Sequence, residues 1–255
     1  MIAEVVSLQN LVLVGMAFAL GGILKGAVGA GAPLLAVPLL ALLYDVPTSI
    51  ALFAVPNIVP NLWQIWQYRD DNLPKAFRWR FFLAGTIGTV VGTFALASVK
   101  SDNLMILLAL IIFAYVIFKM ARPGLKLDYS VAERIAAPVG LTAGFLQTLA
   151  GISAPVSLTF LNVMHLERRT FIATISGFFV AVGVLQIPLL AAFGIMTWPL
   201  FLLGCAAVVV IFAFMPVGAF LGRRLSADTF NKVILVVLTL LAIRLLAPFV
   251  VSAFA

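Results

Sequence analysis

Charge is scarce in this chain, and the residues of metal and thiol chemistry are scarcer. Only 10% of its 255 residues are charged, nine are acidic, and there is one histidine and one cysteine. A lone Cys205 cannot close an internal disulfide. A lone His165 cannot by itself form a zinc site or a catalytic triad. With no cluster of ligating residues, neither a metal nor another cofactor is expected. No nucleophile stands with a base, so an enzyme is not expected either. The stretch "GAVGAG" (26–31) looks superficially like a nucleotide loop. Its spacing fits neither standard fingerprint, and no strand precedes it. No ATP-binding motif is present, which disfavours primary transport by this chain alone.

What the chain has is apolar sequence. Hydrophobic residues make up 64% and mean hydropathy is +1.21. Soluble domains carry about 25% charged residues. The composition therefore implies an integral membrane protein. Long apolar runs between short charged clusters imply an all-α polytopic bundle, not a barrel of alternating strands. "MIAEVVSLQNLVLVG" has no basic n-region, and Glu4 is its first charge, so it reads as an uncleaved lead into a membrane helix. The net charge of +7 does not imply nucleic-acid binding, because the basic residues fall between apolar runs, where they set membrane orientation.

Ten apolar segments are expected, at 8–24, 33–44, 48–67, 79–98, 103–121, 135–149, 154–165, 170–193, 197–221 and 230–250. Most approach the roughly 20 residues that cross a bilayer core. Segments 33–44 and 154–165 are shorter, about 18 Å of helix each. Both follow a break rich in small residues, so each returns the chain toward the side it came from, as a re-entrant hairpin or a tilted crossing. With both termini outside, four basic groups then fall inside. They are Arg69 with Lys75, Arg78 and Arg80; Lys119 with Arg122, Lys126 and Arg134; Arg168–Arg169; and Arg223–Arg224 with Lys232. Only Lys100 and Arg244 fall outside. Dropping the short segments divides the basic loops almost evenly. The positive-inside rule therefore favours five segments per half. Trp63, Trp66, Tyr68 and Trp79 flank the first basic loop as an interfacial belt. The expected location is the cell (inner) membrane.

The two halves repeat. At an offset of 122 residues, "GILKGAVGAGAP" (22–33) lies on "GFLQTLAGISAP" (144–155). Gly22, Leu24, Gly29, Ala32 and Pro33 match Gly144, Leu146, Gly151, Ala154 and Pro155. Thr48, Ile50, Ala51 and Gln64 match Thr170, Ile172, Ala173 and Gln186. At 126 residues, "GTFALASVKSD" (92–102) lies on "GAFLGRRLSAD" (218–228). The expected repeats are 1–125 and 126–255, together one transport domain. An odd number of segments in each makes the repeats inverted.

A Gly-rich break followed by proline and a short apolar helix, given twice, resembles the sulfite exporter TauE/SafE family. "GGILKGAVGAGAPLLAVPLL" (21–40) carries most of the likeness and "GLTAGFLQTLAGISAPVSL" (140–158) the rest. The resemblance implies a permease, expected to be an exporter, for small organosulfur or sulfur-oxyanion substrates such as sulfite or sulfonates. An anion channel of the same architecture, or a permease for another small organic anion, is the alternative.

Backbone unwound inside a membrane is tolerated only where protein covers it or water reaches it. Inverted-repeat transporters use such breaks near the midplane, with half-helix N-termini toward an anion. Short helices beginning at Pro33 and Pro155 suit that reading. Gly26, Gly29, Gly31, Gly151, Thr148 and Ser153 would then line a substrate site, unless they merely let helices pack closely. Lys25 falls in the first break, and an intramembrane lysine is by default a functional candidate, with snorkelling as its rival. Gln147 is its neutral counterpart. Asn57, Asn61, Gln64 and Gln186 join as path-lining candidates, with interhelical hydrogen bonding as the alternative. Gly88/Gly92 and Gly218/Gly222 read as packing pairs. Asp45 and Glu167 read as interfacial charges after the short helices. The expected partners are a small anion and the bilayer. A proton or sodium coupling ion, and an oligomer, are left open.

Overall fold

The computed structural model describes residues 8–121, 124–224 and 226–254; Glu4 and Arg122 lie outside them. Each of the ten expected segments is a helix, and there is no strand among the described residues. In chain order they are α1 (Leu8–Val28), α2 (Ala32–Ala41), α3 (Val46–Gln67), α4 (Lys75–Ser98), α5 (Ser101–Ala121), α6 (Tyr129–Ala150), α7 (Ser157–Val163), α8 (Arg168–Ala192), α9 (Trp198–Arg224) and α10 (Ala227–Phe254). Six of them, α1, α4, α5, α8, α9 and α10, are long and apolar enough to cross a membrane. Helices α3 and α6 reach 22 residues each, but they carry the polar side chains: Asn57, Asn61 and Gln64 on α3, Glu133, Arg134 and Gln147 on α6. The protein is a polytopic helical membrane protein.

The main helix pairings are unchanged when α1–α5 are exchanged with α6–α10. Helix α1 packs along α9, and α6 along α4. Helix α3 packs against α9, and α8 against α4. The pairs α3–α8 and α5–α10 map onto themselves. Glycine makes the two tightest pairs. A Cβ on Gly22 would stand 2.7 Å from the Ile211 carbonyl, and one on Gly144 would overlap the Gly85 carbonyl. The offset of 122 relates Gly22 to Gly144, and the offset of 126 relates Gly85 to Ile211. The same two offsets relate the Gly92–Phe145 contact to the Gly218–Ile23 contact. Close backbone approach through small residues is the main source of attraction between helices in lipid, where no hydrophobic drive operates.

Both breaks differ in detail from the sequence expectation. Helix α1 runs unbroken to Val28, so Lys25 lies in its last turn and not in unwound chain. Glycines 21, 22 and 26 do not break the helix, because each faces close-packed backbone: Ala32 for Gly21, α9 for Gly22 and Gly26. Only Gly29 and Gly31, both at φ +88°, take the left-handed conformation that ends α1 and starts α2. In the second half α6 runs to Ala150, and Gly151 (φ +71°) makes the same turn. There the short helix starts at Ser157 and not at Pro155, because Ser153 holds the turn. The Ser153 carbonyl accepts from the amides of Val156 and Ser157 at 2.9 and 2.8 Å. Gly29 abuts Ile172 and Gly151 abuts Ile50, again a pair related by 122.

The basic loops meet at one end. Arg169 lies 3.8 Å from Asp71 and Arg80 lies 3.7 Å from Glu133. The Leu127 amide donates to the Val163 carbonyl at 2.8 Å, and Arg168 reaches the Ala27 carbonyl at 3.1 Å. Asp45 caps α3, accepting from the Thr48 amide at 2.7 Å, and Glu167 stands at the matching position before α8. Both follow the short helices, as expected of interfacial charges.

A methyl group tests the glycine contacts. Gly144→Ala and Gly26→Ala force helix backbones apart, and overpacking of this kind costs about 1–3 kcal/mol or more. Gly15→Ala, with nothing within 4 Å of the added carbon, is neutral or slightly stabilising. Thermal denaturation of purified protein in detergent reads the difference.

Candidate functional site

Two polar groups are buried between the halves. The first centres on Lys25, 2% exposed. Its ammonium donates to Asn61 Oδ1 at 2.7 Å and to Gln64 Oε1 at 2.8 Å. Gln64 Oε1 also accepts from Ser176 Oγ at 2.9 Å, which ties α3 to α8. The Asn61 amide nitrogen donates back to the Asn57 carbonyl. The neighbouring helix is loosened for such bonding by Pro56 and Pro60, each without an N–H to give. Among the described residues no carboxylate pairs with Lys25. Its charge is held by amide dipoles alone, a costly arrangement in a bilayer. Ser176 lies eight residues into α8, about 12 Å of helix from Arg168. Lys25 therefore does not snorkel from the end of its helix.

The second group surrounds a narrow void, too tight in this state to admit a water molecule, lined by Val37, Ile50, Asn57, Gln147, Gly151 and Gln186, among others. Ile50, Ala54 and Asn57 occupy one face of α3, at the i, i+4, i+7 spacing. Asn57 is 2% exposed, and its Nδ2 has no hydrogen-bond partner. Leaving a buried donor unsatisfied costs about 1–3 kcal/mol. Gln147 turns back on its own break. Its Oε1 accepts from the Ser153 amide at 3.1 Å, and its Nε2 donates to the Gly151 carbonyl at 3.4 Å. Ser157 Oγ donates to Ser153 at 3.0 Å.

The repeat relates the two groups. Gln147 is the counterpart of Lys25, Gln186 of Gln64, and Gly151 of Gly29. In the first copy the long ammonium arm spans the gap to its glutamine. In the second, Gln147 is engaged by its own backbone and leaves the narrow void beside Gln186 unbridged. The contrast makes the site asymmetric, with a fixed cation on one side and unpaired amide on the other.

The remaining candidates separate cleanly. Lys25, Asn61 and Gln64 are brought together, and Asn57, Gln147, Gly151 and Gln186 line the void. Ser153 holds the second break. Thr148 donates to the Gly144 carbonyl at 3.2 Å and sits against Gly92 on the α4–α6 contact. Gly26 packs on the Met215 carbonyl, so neither it nor Thr148 reaches the void. Gly29 is buried against Ile172, while Gly31, N-cap of α2 with no side-chain cap, lines a larger lateral cavity. Ser176 was not among the sequence candidates. It aligns with Ala54, so the repeat gave no signal, and a lone serine in an apolar run has none of its own. His165 lies at the basic end, its ring 3.3 Å from the Leu125 carbonyl.

The lysine cluster predicts a measurable coupling. Lys25→Met and Gln64→Leu each strand a buried polar partner, while the double variant strands fewer. A double-mutant cycle on thermal stability should give at least about 1 kcal/mol of interaction energy between them. Additivity of the two would show that the contact does not hold the core.

Searches of curated proteins and of solved structures find no match. The family model for Sulfite exporter TauE/SafE matches residues 13–245, nearly the whole chain. That span contains both helix breaks and every residue of the two buried polar groups. The chain thus belongs to the TauE/SafE sulfite exporter family, whose members are membrane permeases for sulfur-related anions.

Proposed function

We propose that the protein is a secondary permease that binds a small sulfur oxyanion or organosulfonate at Asn57, in a void that is closed in this state and widens during transport. The observation that carries this reading is the unpartnered Asn57 Nδ2, a buried donor on a void that Gln147 and Gln186 also line. An amide N–H without a partner is matched by an acceptor, and a sulfonate or sulfite oxygen is one. Gln186, on the facing wall of the void, offers a second amide. Lys25 lies on the same face of the site toward the basic end. Gln64 is seven residues beyond Asn57 on α3, about 10 Å of helix. At that distance the lysine supplies a favourable field for an anion more than direct ligation, and its two amide partners hold it in place.

In this reading the repeats 1–125 and 126–255 form one transport domain in inverted orientation, with both termini outside. The Gly29–Gly31 and Gly151 turns serve as the places where α1–α2 and α6–α7 hinge during alternating access. Export is the direction that the family description favours. Thr148 and Gly26 act in this scheme through helix packing and not through the cargo.

Proteoliposome flux of sulfite, sulfonates, sulfate and carboxylates tests the proposal. Asn57→Leu removes the unsatisfied donor and keeps the same number of side-chain heavy atoms. It should leave the melting temperature unchanged or raised while lowering flux at least tenfold. Equal loss of stability and flux would reduce Asn57 to a packing residue, and unchanged flux would remove the void from the transport path. Lys25→Ala should weaken transport of anions across the panel, and unchanged transport would refute its role. Single-cysteine labelling, in a chain with Cys205 replaced, should place a cysteine near residue 46, at exposed Leu42, outside and one near residue 168 inside.

A further inference from the structure

Helices α5 and α10 pack on each other and meet the rest of the bundle through only slight contacts with α2, α3 and α6. Two lateral crevices result. The first, about 920 Å³, lies between the end of α5, the start of α10 and the α1–α2 break. Ala30, Gly31 and Leu158 form its inner wall, and Lys119, Lys232 and His165 stand among its lining. The second, about 540 Å³, lies between the start of α5, the end of α10 and the end of α2, and Arg244 lines it with Leu42, Tyr44 and Met105. The two are counterparts in the repeat. The offset of 126 places Met105 on Asn231, and each residue lines its own crevice.

Charge and exposure point to the occupant. Among the described residues neither lining contains a carboxylate. Arg244 is exposed on an apolar helix, and among the described residues it has no ion pair or hydrogen bond. Lys119 Nζ stands 6.0 Å from the Tyr115 ring. The outer walls of the first crevice are apolar and open sideways, with Met120, Val236 and Leu240 exposed by 71%, 58% and 61%. In a bilayer such surfaces meet acyl chains, and an arginine without a protein partner meets phosphate, which its guanidinium binds through paired hydrogen bonds. Basic pockets between membrane helices are suited to anionic head groups.

We infer that each crevice holds an anionic phospholipid. In one, the phosphate rests at Lys119 and Lys232; in the other, at Arg244; in both, an acyl chain lies along the α5–α10 groove. Lys119 is in the last turn of α5 at the basic end, whereas Arg244 lies 17 residues into α10, about 25 Å from its start. The two lipids therefore occupy opposite leaflets. The inference needs only the membrane setting of these helices, and its test does not depend on which cargo is carried.

Native mass spectrometry of the full chain with phosphatidylglycerol or phosphatidylcholine of equal chain length tests it. The wild type should retain two phosphatidylglycerol molecules, with at least tenfold preference over phosphatidylcholine. Lys119→Gln with Lys232→Gln should remove one, and Arg244→Gln the other. Equal retention of the two lipids by the wild type, or two phosphatidylglycerols kept by the triple variant, would overturn the inference. Displacement of one adduct by hexanesulfonate would overturn it for the first crevice and mark that crevice as a cargo route. Should a variant fail to fold, Leu240→Trp in an otherwise native chain gives a second reading. Its added fluorescence should be quenched more by brominated phosphatidylglycerol than by brominated phosphatidylcholine, and equal quenching would again overturn the inference.

Discussion

Everything polar inside this bundle must find its partner inside the protein, because lipid offers none. That constraint accounts for the two breaks and for what surrounds them. Each break frees backbone groups, and the second is closed by a side chain from its own helix: Gln147 bonds both the Gly151 carbonyl and the Ser153 amide. In the first, the residue at the same place is Lys25, and it turns outward across the interface to Asn61 and Gln64. One substitution at one repeat position thus decides whether a side chain serves its own break or joins two helices.

The consequence is a nearly symmetric frame with an asymmetric interior. The frame is held by glycine contacts that obey the two repeat offsets, such as Gly22 on Ile211 and Gly144 on Gly85. The interior departs from them wherever a polar residue has replaced an apolar or small one in a single copy. Asn57 faces its counterpart Phe179, Asn61 its counterpart Gly183, and Ser176 its counterpart Ala54 in the alignment. These three departures gather at the lysine cluster or the void, whereas others, such as Ser49 opposite Phe171 and Ser157 opposite Leu35, bond within their own helix ends. The glycine contacts and the polar core are therefore carried by different residues.

Much of the frame was legible in the sequence. Apolar runs interrupted by charge gave the ten helices, and the reading of Gly88, Gly92, Gly218 and Gly222 as packing positions matches their contacts with facing helices. The asymmetric core was partly legible: Lys25, Asn57, Asn61, Gln64 and Gln186 stand out as polar residues in apolar runs. What the sequence did not resolve was the use of each glycine. Gly21, Gly22 and Gly26 look like helix breakers beside Gly29 and Gly31, yet they remain helical, and their small size serves neighbouring backbone, α2 for Gly21 and the distant α9 for Gly22 and Gly26. Pro155 misled for a related reason. Its match to Pro33 is sound as an alignment, but Ser153 gathers the amides of Val156 and Ser157 and delays the helix by a turn. The crevices beside α5 and α10 had no sequence signal, since they arise from where two helices do not pack.

In the proposed site, selectivity for an anion would follow from how the positive charge is held. A carboxylate beside Lys25 would cancel its field outside the pair. Two amide oxygens take two of the three N–H groups of the ammonium and carry no opposing charge, in surroundings of low dielectric, where charge acts more strongly than in water. An anion in the void would gain from that field without displacing a counterion. A cation there would be opposed by it. The same arrangement keeps the lysine from collapsing onto its ligand, because Asn61 and Gln64 already fix its position. A binding step that neither breaks a salt bridge nor moves the charge is easily reversed, and reversibility is what a permease requires of its site.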